Sequence, residues 1–166
     1  MNPQITPLMP VLVSPWLSIH VSLIMMSYAL LAFIMLNGIL ALCLRKKEPE
    51  NNVSENDDRQ DNRIEQLTLV SRLLLYPATF FLGAGIFLGA VWANVSWGRY
   101  WAWDPKEVWA LITFLVYGAA FHSQSLRIFR KPLFFHIYMI LAFLTVLMTY
   151  FGVNYVLGGM HSYANS

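Results

Sequence analysis

The chain has 166 residues, of which 57% are hydrophobic and 12% charged, and its formal net charge is +2. A charged fraction so far below the roughly 25% of soluble domains excludes an ordinary soluble protein, and the few basic loops give no sign of nucleic-acid binding. The single cysteine, Cys43, excludes a disulfide framework and a Cys-x-x-Cys redox pair. The composition therefore favours one all-α, polytopic membrane domain over residues 1–166.

The N-terminal half predicts two membrane spans joined by a polar segment. Trp16 is typical of an interface anchor, and the first span covers about residues 17–44. Residues 45–63 are too polar to fold alone, which predicts a cytoplasmic linker. Residues 64–75 have the apolar spacing of an amphipathic interface helix. The second span covers about residues 73–95.

The second span contains two features of backbone geometry. Pro77 allows a bend, because proline removes a helix hydrogen bond. Gly85 and Gly89 form a small-xxx-small pair that would let a neighbouring helix approach closely, and ordinary helix packing is the simplest role for the pair.

A tryptophan-rich loop, residues 96–104, follows the second span. Asp104 suits the N-cap of the next helix, with Pro105 at its first helical position. Glu107 stands three residues after Asp104, as the partner in a capping box. The sequence therefore predicts that a helix begins directly after the loop.

Two further spans, about residues 105–126 and 133–156, bring the predicted total to four. Basic clusters follow the first span and separate the third from the fourth, and positive residues mark the cytoplasmic side. Both termini and the tryptophan-rich loop are then outside, so His20 and His161 lie near the outer face.

The four histidines are the candidate metal ligands. A single interfacial histidine is more often a packing residue, but His20 and His161 both lie near the tryptophan-rich loop, and two imidazoles are a usual ligand pair for haem iron. His122 is deeper in its helix than His136 and is the better candidate inside the membrane, where a histidine is functional by default. His136, beside the basic loop, favours a structural role.

The tryptophan-rich loop suits haem, which needs aromatic faces against its ring and cationic donors for its propionates. The indoles that could supply the faces are Trp97, Trp101 and Trp103. Arg99 and Lys106 could supply the donors. The competing interpretation is an aromatic belt at the headgroups, which explains the loop less well. It does account for three other tryptophans, Trp16, Trp92 and Trp109.

Residues 97–107, with 109–112 after them, resemble the tryptophan-rich WWD signature of the haem-handling proteins of cytochrome c biogenesis, in particular the CcsA (ResC) type of System II. Three more segments agree in family order. Residues 14–20 resemble the first external histidine segment, His122 stands at the membrane-histidine position, and residues 151–164 resemble the second external histidine segment. The resemblance covers nearly all of the chain and corresponds to the C-terminal core of the family.

The resemblance implies a cytochrome c assembly protein of the cell inner (plasma) membrane that transports and binds haem b. It would hold the haem at the periplasmic or outer side for covalent attachment to the Cys-x-x-Cys-His motif of apocytochrome c. His20 and His161 would be the axial ligands of this external haem, with Asp104 and Arg99 among the residues of its platform. His122 would ligate haem inside the membrane.

The resemblance also implies a partner, a CcsB (ResB) type membrane protein. The chain would then be a subunit of a membrane cytochrome c synthase rather than an independent enzyme. Relatives normally have additional spans before this core, and the second ligand beside His122 would come from those spans or from a partner. Phe114 departs from the pattern, standing where the family has tryptophan. Cys43 alone cannot reduce an apocytochrome, so thiol reduction would come from elsewhere.

Two other functions remain open. One is a b-type haem electron-transfer subunit, which would need paired histidines at mid-bilayer depth. The other is a haem exporter without ligation activity.

Overall fold

The computed structural model of the protein describes residues 15–46, 55–122 and 125–157, and all regular secondary structure within them is helical. The α-helices are α1 (Pro15–Lys46), α2 (Glu55–Trp97), α3 (Pro105–Ala119) and α4 (Pro132–Leu147). Short 3₁₀ turns cover Ala120–His122 and Arg127–Arg130, and a π-helical stretch, Met148–Leu157, continues α4. The predicted all-α, polytopic class is confirmed.

Three of these helices are long and apolar enough to cross a membrane, over Pro15–Arg45, Arg59–Trp97 and Pro132–Val153. They are α1, most of α2, and α4 with the start of the π-helical stretch. α3 has 15 residues, which give it a length of about 22 Å at 1.5 Å per residue. A membrane crossing by α3, and with it the arrangement of four spans with both termini outside, stays a prediction.

α2 begins at Glu55, inside the segment predicted as a polar linker, and continues through Pro77 to Trp97. Short polar helices are unstable alone, and most helical stability in proteins comes from tertiary packing. Here the polar turns extend an apolar helix, and the Gln60 side chain donates a hydrogen bond to the carbonyl of Leu44 on α1. This part of the predicted linker is therefore helical because it continues α2 and contacts α1, which the sequence prediction did not take into account.

The packed face in the first half of α2 is polar. Thr68 and Ser71 are buried, whereas Leu73 and Val70 are exposed. Val70 belongs to the apolar face predicted for residues 64–75 and lies outside the packed face. The predicted position of this segment at the membrane interface stays a prediction. In a membrane protein the apolar side chains can face lipid while hydroxyl groups pair between helices, because lipid does not reward burial of an apolar side chain against protein.

α1 and α2 run antiparallel and are joined by polar contacts along their length. The hydroxyl of Ser27 donates to the carbonyl of Ala78 at 2.8 Å. Further along α1, the Asn37 amide donates to the Ser71 hydroxyl at 3.3 Å. Rising numbers on α1 pair with falling numbers on α2, which places the beginning of α1 beside the end of α2.

All four α-helices contribute to the apolar core in the middle of the bundle. Its most completely buried side chains are Leu31, Ile34, Leu75, Tyr117, Phe135 and Met139. The core separates two ends of the molecule. We call them the His20 end, where α1 begins and α2 ends, and the His136 end, where α1 ends and α4 begins.

Candidate functional site

A cavity of about 240 Å³ lies at the His20 end, between α1, the end of α2, the first turns of α3 and the start of the π-helical stretch. Three residues named by the sequence analysis as haem contacts, His20, Trp101 and Lys106, line it. It is also lined by residues that were not predicted to bind haem, namely Tyr28, Trp92, Glu107, Thr149 and Tyr150. The fold therefore brings residues from four separate segments to one space.

The imidazole of His20 is held by the backbone of α2. Its Nδ1 lies 2.6 Å from the carbonyl oxygen of Gly85. Because a carbonyl oxygen can only accept, Nδ1 carries the proton and the neutral ring has its lone pair on Nε2. Metal-binding histidines have this arrangement, with one ring nitrogen donating to a carbonyl or carboxylate and the other bound to the metal.

The ring of His20 lies directly against Gly89. A Cβ at Gly89 would be 2.7 Å from Cε1 and 2.8 Å from Nδ1 of His20, closer than real Cβ contacts. One turn earlier, a Cβ at Gly85 would be 2.6 Å from Cδ1 of Ile24. The predicted close approach of a neighbouring helix to this glycine pair is confirmed, and the neighbour is α1.

Trp92 and Trp101 form aromatic walls of the cavity. Trp92 is 3% exposed, and its ring lies edge-on to that of Trp97 at a centroid distance of 4.9 Å. The rings of Trp101 and Trp103 are 6.1 Å apart and nearly perpendicular. The competing belt interpretation does not suit Trp92, because a belt residue faces the headgroups. Trp16, 47% exposed, has the exposure that such a residue needs.

The start of α3 is fixed by the predicted capping box. Asp104 Oδ2 accepts from the backbone N–H of Lys106 at 3.1 Å. Glu107 Oε2 accepts from the N–H groups of Asp104 at 3.2 Å and of Ala102 at 2.8 Å. Pro105 is the first helical residue. The prediction of this helix start is confirmed, and the first turn carries Lys106 and Glu107 to the cavity.

Trp103 has a left-handed backbone conformation, with φ of 57°, which costs a non-glycine residue about 1–2 kcal/mol. Its side chain is 74% exposed, so packing in the core does not hold it. The backbone N–H groups on either side, those of Ala102 and Asp104, both donate to Glu107. Glu107 therefore stabilises the strained end of the tryptophan-rich loop.

The two basic residues near the loop differ in position. Lys106 is half-buried and lines the cavity, whereas Arg99 is exposed and outside that lining. Lys106 lies in the first turn of α3, outside the three membrane-length helices. Burial lowers the pKa of its ammonium group, and the Asp104 carboxylate opposes this effect. The cavity thus has one cationic side chain within a largely apolar wall.

His122 does not join the cavity. It is exposed in the 3₁₀ turn after α3, roughly 25 Å along that helix from its start. A groove of about 580 Å³ between α2 and α3 leads toward the same end, and its aromatic lining is Tyr76, Phe80, Phe87, Phe114 and Phe121. His161 lies outside the described residues. Within residues 15–46, 55–122 and 125–157, no three His, Cys, Asp or Glu side chains cluster as a metal site.

His136 is 1% exposed and packs against α2. Its Nε2 lies 2.9 Å from the hydroxyl oxygen of Thr68, and that hydroxyl donates to the carbonyl of Ile64 at 2.7 Å. Nε2 therefore donates, and the lone pair is on Nδ1, which is buried and has no hydrogen-bond partner. The guanidinium of Arg72 lies nearby, 5.0 Å from the ring centroid of Phe135.

Comparison of the amino-acid sequence with known proteins identifies the family of the chain. Residues 1–161 match the family model described as "Cytochrome C assembly protein". The protein NrfI of Wolinella succinogenes is 42% identical over 163 residues, which are 98% of this chain and 18% of NrfI. The cytochrome c biogenesis protein CcsA of Chlamydomonas reinhardtii is 40% identical over 162 residues, 96% of this chain and 44% of that protein.

The CcsA protein of Pyropia yezoensis is 35% identical over an alignment of 195 residues, covering 95% of this chain and 60% of that protein. The chain therefore spans less than two thirds of the length of each of these relatives, from 18% to 60%. The family match nevertheless covers almost all of the chain itself. The chain thus belongs to the cytochrome c assembly protein family and is of the CcsA type.

Proposed function

We propose that this protein takes part in cytochrome c assembly by binding haem b at the outer face of the plasma (inner) membrane and presenting it to apocytochrome c for covalent attachment. The observation that carries the proposal is the bond from His20 Nδ1 to the Gly85 carbonyl at 2.6 Å. It leaves the lone pair on Nε2 in a ring that lines an aromatic cavity. Membership of the cytochrome c assembly family supports the same function.

The residues of the cavity fit one edge of a haem. Trp92 and Trp101 supply flat apolar walls, His20 an imidazole ligand and Lys106 a cation for a propionate. The cavity volume of about 240 Å³ is below the roughly 300–1,000 Å³ of pockets that bury a whole ligand. We therefore expect part of the macrocycle to lie outside the cavity, against the exposed side of the tryptophan-rich loop.

Within this proposal, His20 and His161 would hold the haem iron. Trp97 and Trp103 support the walls of the cavity, since Trp97 packs edge-on against Trp92 and Trp103 edge-on against Trp101. Lys106 is a better propionate partner than Arg99, because only Lys106 lines the cavity. Asp104 acts indirectly, through the helix cap that sets the position of Lys106.

The contribution of the protein to the reaction is positioning. Haem would supply two vinyl groups for the two cysteine thiols of the Cys-x-x-Cys-His motif, each S–H adding across one C=C bond with no external oxidant or reductant required. His20 and His161 would hold the iron of the bound haem. The aromatic walls restrict the orientation of the ring, and such restriction supplies much of the rate gain in a reaction between two bound groups.

We assign His122 to a second haem, held within the membrane before transfer to the outer site. The aromatic groove between α2 and α3 supports this assignment, because it includes Phe121, the residue directly before His122. Phe114, the departure from the family pattern, lines the same groove. The second ligand and the transfer path would involve a CcsB (ResB) type partner or further spans of a longer protein.

The first test is the optical spectrum of the protein purified in mild detergent together with its CcsB-type partner. Wild type should carry b-type haem with a low-spin, six-coordinate spectrum, and His20→Ala should lose that spectrum at the outer site. His136→Phe is the matched histidine control and should keep it. A His20→Ala protein with the wild-type haem content and spectrum would contradict the ligand assignment.

A second measurement separates ligation from transport. The protein and its CcsB-type partner are coexpressed with an apocytochrome c, and covalent haem is stained after denaturing electrophoresis. Stained cytochrome that disappears with His20→Ala supports presentation of haem for attachment. Haem-loaded protein without stained cytochrome would instead indicate an exporter, and quinol-dependent turnover of the bound haem would indicate an electron-transfer subunit.

A further inference from the structure

We propose that Gly85 and Gly89 are positioning residues that hold His20 in the tautomer and orientation needed to bind a metal through Nε2. We call the surface formed by these two residues the glycine seat. This inference deepens the proposed function and rests on it only for the ligand that His20 would bind. The orientation of the ring is a property of this chain's own residues.

The two glycines act through different atoms. Gly85 contributes its carbonyl oxygen, which lies 2.6 Å from Nδ1 of His20. Gly89 contributes the absence of a side chain, since a Cβ there would be 2.7 Å from Cε1 and 2.8 Å from Nδ1. Both ring atoms belong to a rigid plane, so the whole imidazole of His20 would have to move away from the carbonyl to make room.

Helix geometry explains why the two positions are four residues apart. In an α-helix, the carbonyl of residue i accepts from the N–H of residue i+4 and so points toward it. The carbonyl of Gly85 therefore points toward Gly89, and its oxygen has a second lone pair. A side chain at position 89 would cover that lone pair, so glycine at 89 keeps it open to His20.

This arrangement differs from ordinary packing between glycine-containing helices. At Gly85 the neighbour on α1 is the end of the Ile24 side chain, which makes an apolar contact. At Gly89 the neighbour is a polar ring whose nitrogen makes a directed hydrogen bond. A hydrogen bond of this kind fixes the ring orientation of a ligating histidine and raises its basicity.

The haem-free protein allows a direct test by NMR of ¹⁵N-histidine-labelled samples, at a pH where the imidazole is neutral. The His20 signals are identified by their loss in His20→Asn. Wild type should show a protonated Nδ1 and an unprotonated Nε2 for His20, and Gly89→Ala should abolish this pattern. Wild-type His20 with its proton on Nε2 would overturn the proposal without the need for any variant.

Gly38→Ala is the control for helix packing, because Gly38 is also a point of close helix contact but lies at the His136 end. Its added Cβ would be 3.2 Å from the carbonyl oxygen of His136 and 3.3 Å from Cγ1 of Ile140, and His20 is not among its neighbours. Gly118→Ala is a second control, because nothing lies within 4 Å of a Cβ built there. Both controls should keep the wild-type tautomer of His20. Equal loss of the tautomer in Gly38→Ala and Gly89→Ala would mean that the glycine seat acts only through helix packing, and would overturn the proposal.

Haem binding gives the second readout. Gly89→Ala should weaken haem affinity about 10- to 100-fold, the usual effect of removing support from a metal ligand, while Gly38→Ala stays near wild type. In a His20→Ala background the Gly89→Ala change should add nothing, since it acts through His20. An undiminished Gly89 effect in that background would overturn the proposal. If the tautomer results hold but wild type binds no haem, the seat stands and the proposed function fails.

Discussion

The two ends of the bundle each hold an imidazole against α2, and they hold it through opposite nitrogens. At the His20 end, Nδ1 donates to a backbone carbonyl and the ring lines a cavity. At the His136 end, Nε2 is the atom that donates, to the Thr68 hydroxyl, and the ring is 1% exposed. The lone pair is therefore on Nε2 in His20 and on Nδ1 in His136.

This difference shows that the hydrogen bond, more than burial, distinguishes a candidate ligand from a packing residue. His136 is the more deeply buried of the two histidines, yet its lone pair lies on the nitrogen closer to its own backbone, in a packed interior. A buried polar atom without a partner costs about 1–3 kcal/mol, and Nδ1 of His136 is such an atom. The geometry at the His136 end thus suits specificity of packing rather than ligand binding.

The largest expected effect on haem binding comes from removing the imidazole side chain by mutation to glycine and then adding free imidazole to the solution. His20→Gly should lower haem affinity more than about 100-fold, because even the outer partners of a metal ligand contribute 10- to 100-fold. Free imidazole should restore the low-spin spectrum by binding in the vacated position. The measurement is the haem spectrum during an imidazole titration.

The matched variant for that experiment is His136→Gly. It should destabilise the protein by about 2–5 kcal/mol, as truncation of a large buried side chain does, and added imidazole should not change its haem spectrum. Spectral recovery in His136→Gly, together with none in His20→Gly, would reverse the assignment of the two ends.

A smaller effect is expected from the charge at the cavity. Lys106→Gln should weaken haem binding about tenfold, equal to ~1.4 kcal/mol, by removing the cation beside a propionate. Since burial lowers the pKa of Lys106, wild-type affinity should fall as the pH rises toward that pKa and the ammonium loses its proton. The Lys106→Gln protein should lack this pH dependence.

Arg99→Gln is the control for this prediction, because Arg99 is exposed outside the cavity lining. Its haem affinity should stay within about twofold of wild type, as for most surface substitutions. If Arg99→Gln lost more affinity than Lys106→Gln, the propionates would have to lie over the loop rather than at the first turn of α3.

The smallest effect is expected from His136→Phe. This change removes the donor to Thr68 and also the buried Nδ1 that has no partner. The Thr68 hydroxyl keeps its hydrogen bond to the carbonyl of Ile64, so the change leaves no donor unsatisfied and should cost little. The free energy of unfolding in detergent should change by no more than ~1 kcal/mol. Loss of bound haem from His136→Phe would give the His136 end a functional role that its geometry does not suggest.

The sequence predicted the parts of the site that depend on local order along the chain. The cap at Asp104 follows from residue spacing alone, and the structure confirms it. The close approach at Gly85 and Gly89 follows from their spacing as well. The partner of that pair did not follow, because spacing on one helix does not say which residue of another helix lies against it.

Residues that reach the cavity from distant segments were missed for the same reason. Tyr28 and Thr149 come from α1 and from the π-helical stretch, and neither belongs to a local motif. Trp92 was not predicted to line the cavity because a tryptophan near a span end looks the same in sequence whether it faces lipid or protein. A weak signal did exist: Trp92 lies three residues after Gly89, near the helix face that α1 approaches.

The buried face of α2 shows a limit of a different kind. Apolar periodicity identifies the face of a helix that avoids water, and in a soluble protein that face is the core. In a membrane-length helix the surrounding medium is lipid, so an exposed Leu73 and a buried Ser71 are both compatible with a stable packed helix. Periodicity alone could not assign the inward face of this helix.

The left-handed backbone at Trp103 determines which substitutions at this position would be favoured when a library of variants is selected. Glycine would relieve the strain at φ of 57°, and the 74% exposed indole gives little to the interior in return. A library selected for folding alone should therefore become enriched in glycine at position 103. A second library, selected for cytochrome c assembly, would keep tryptophan at position 103 only if the side chain has a role other than thermodynamic stability. Comparison of the two libraries would therefore measure the contribution of this side chain to function.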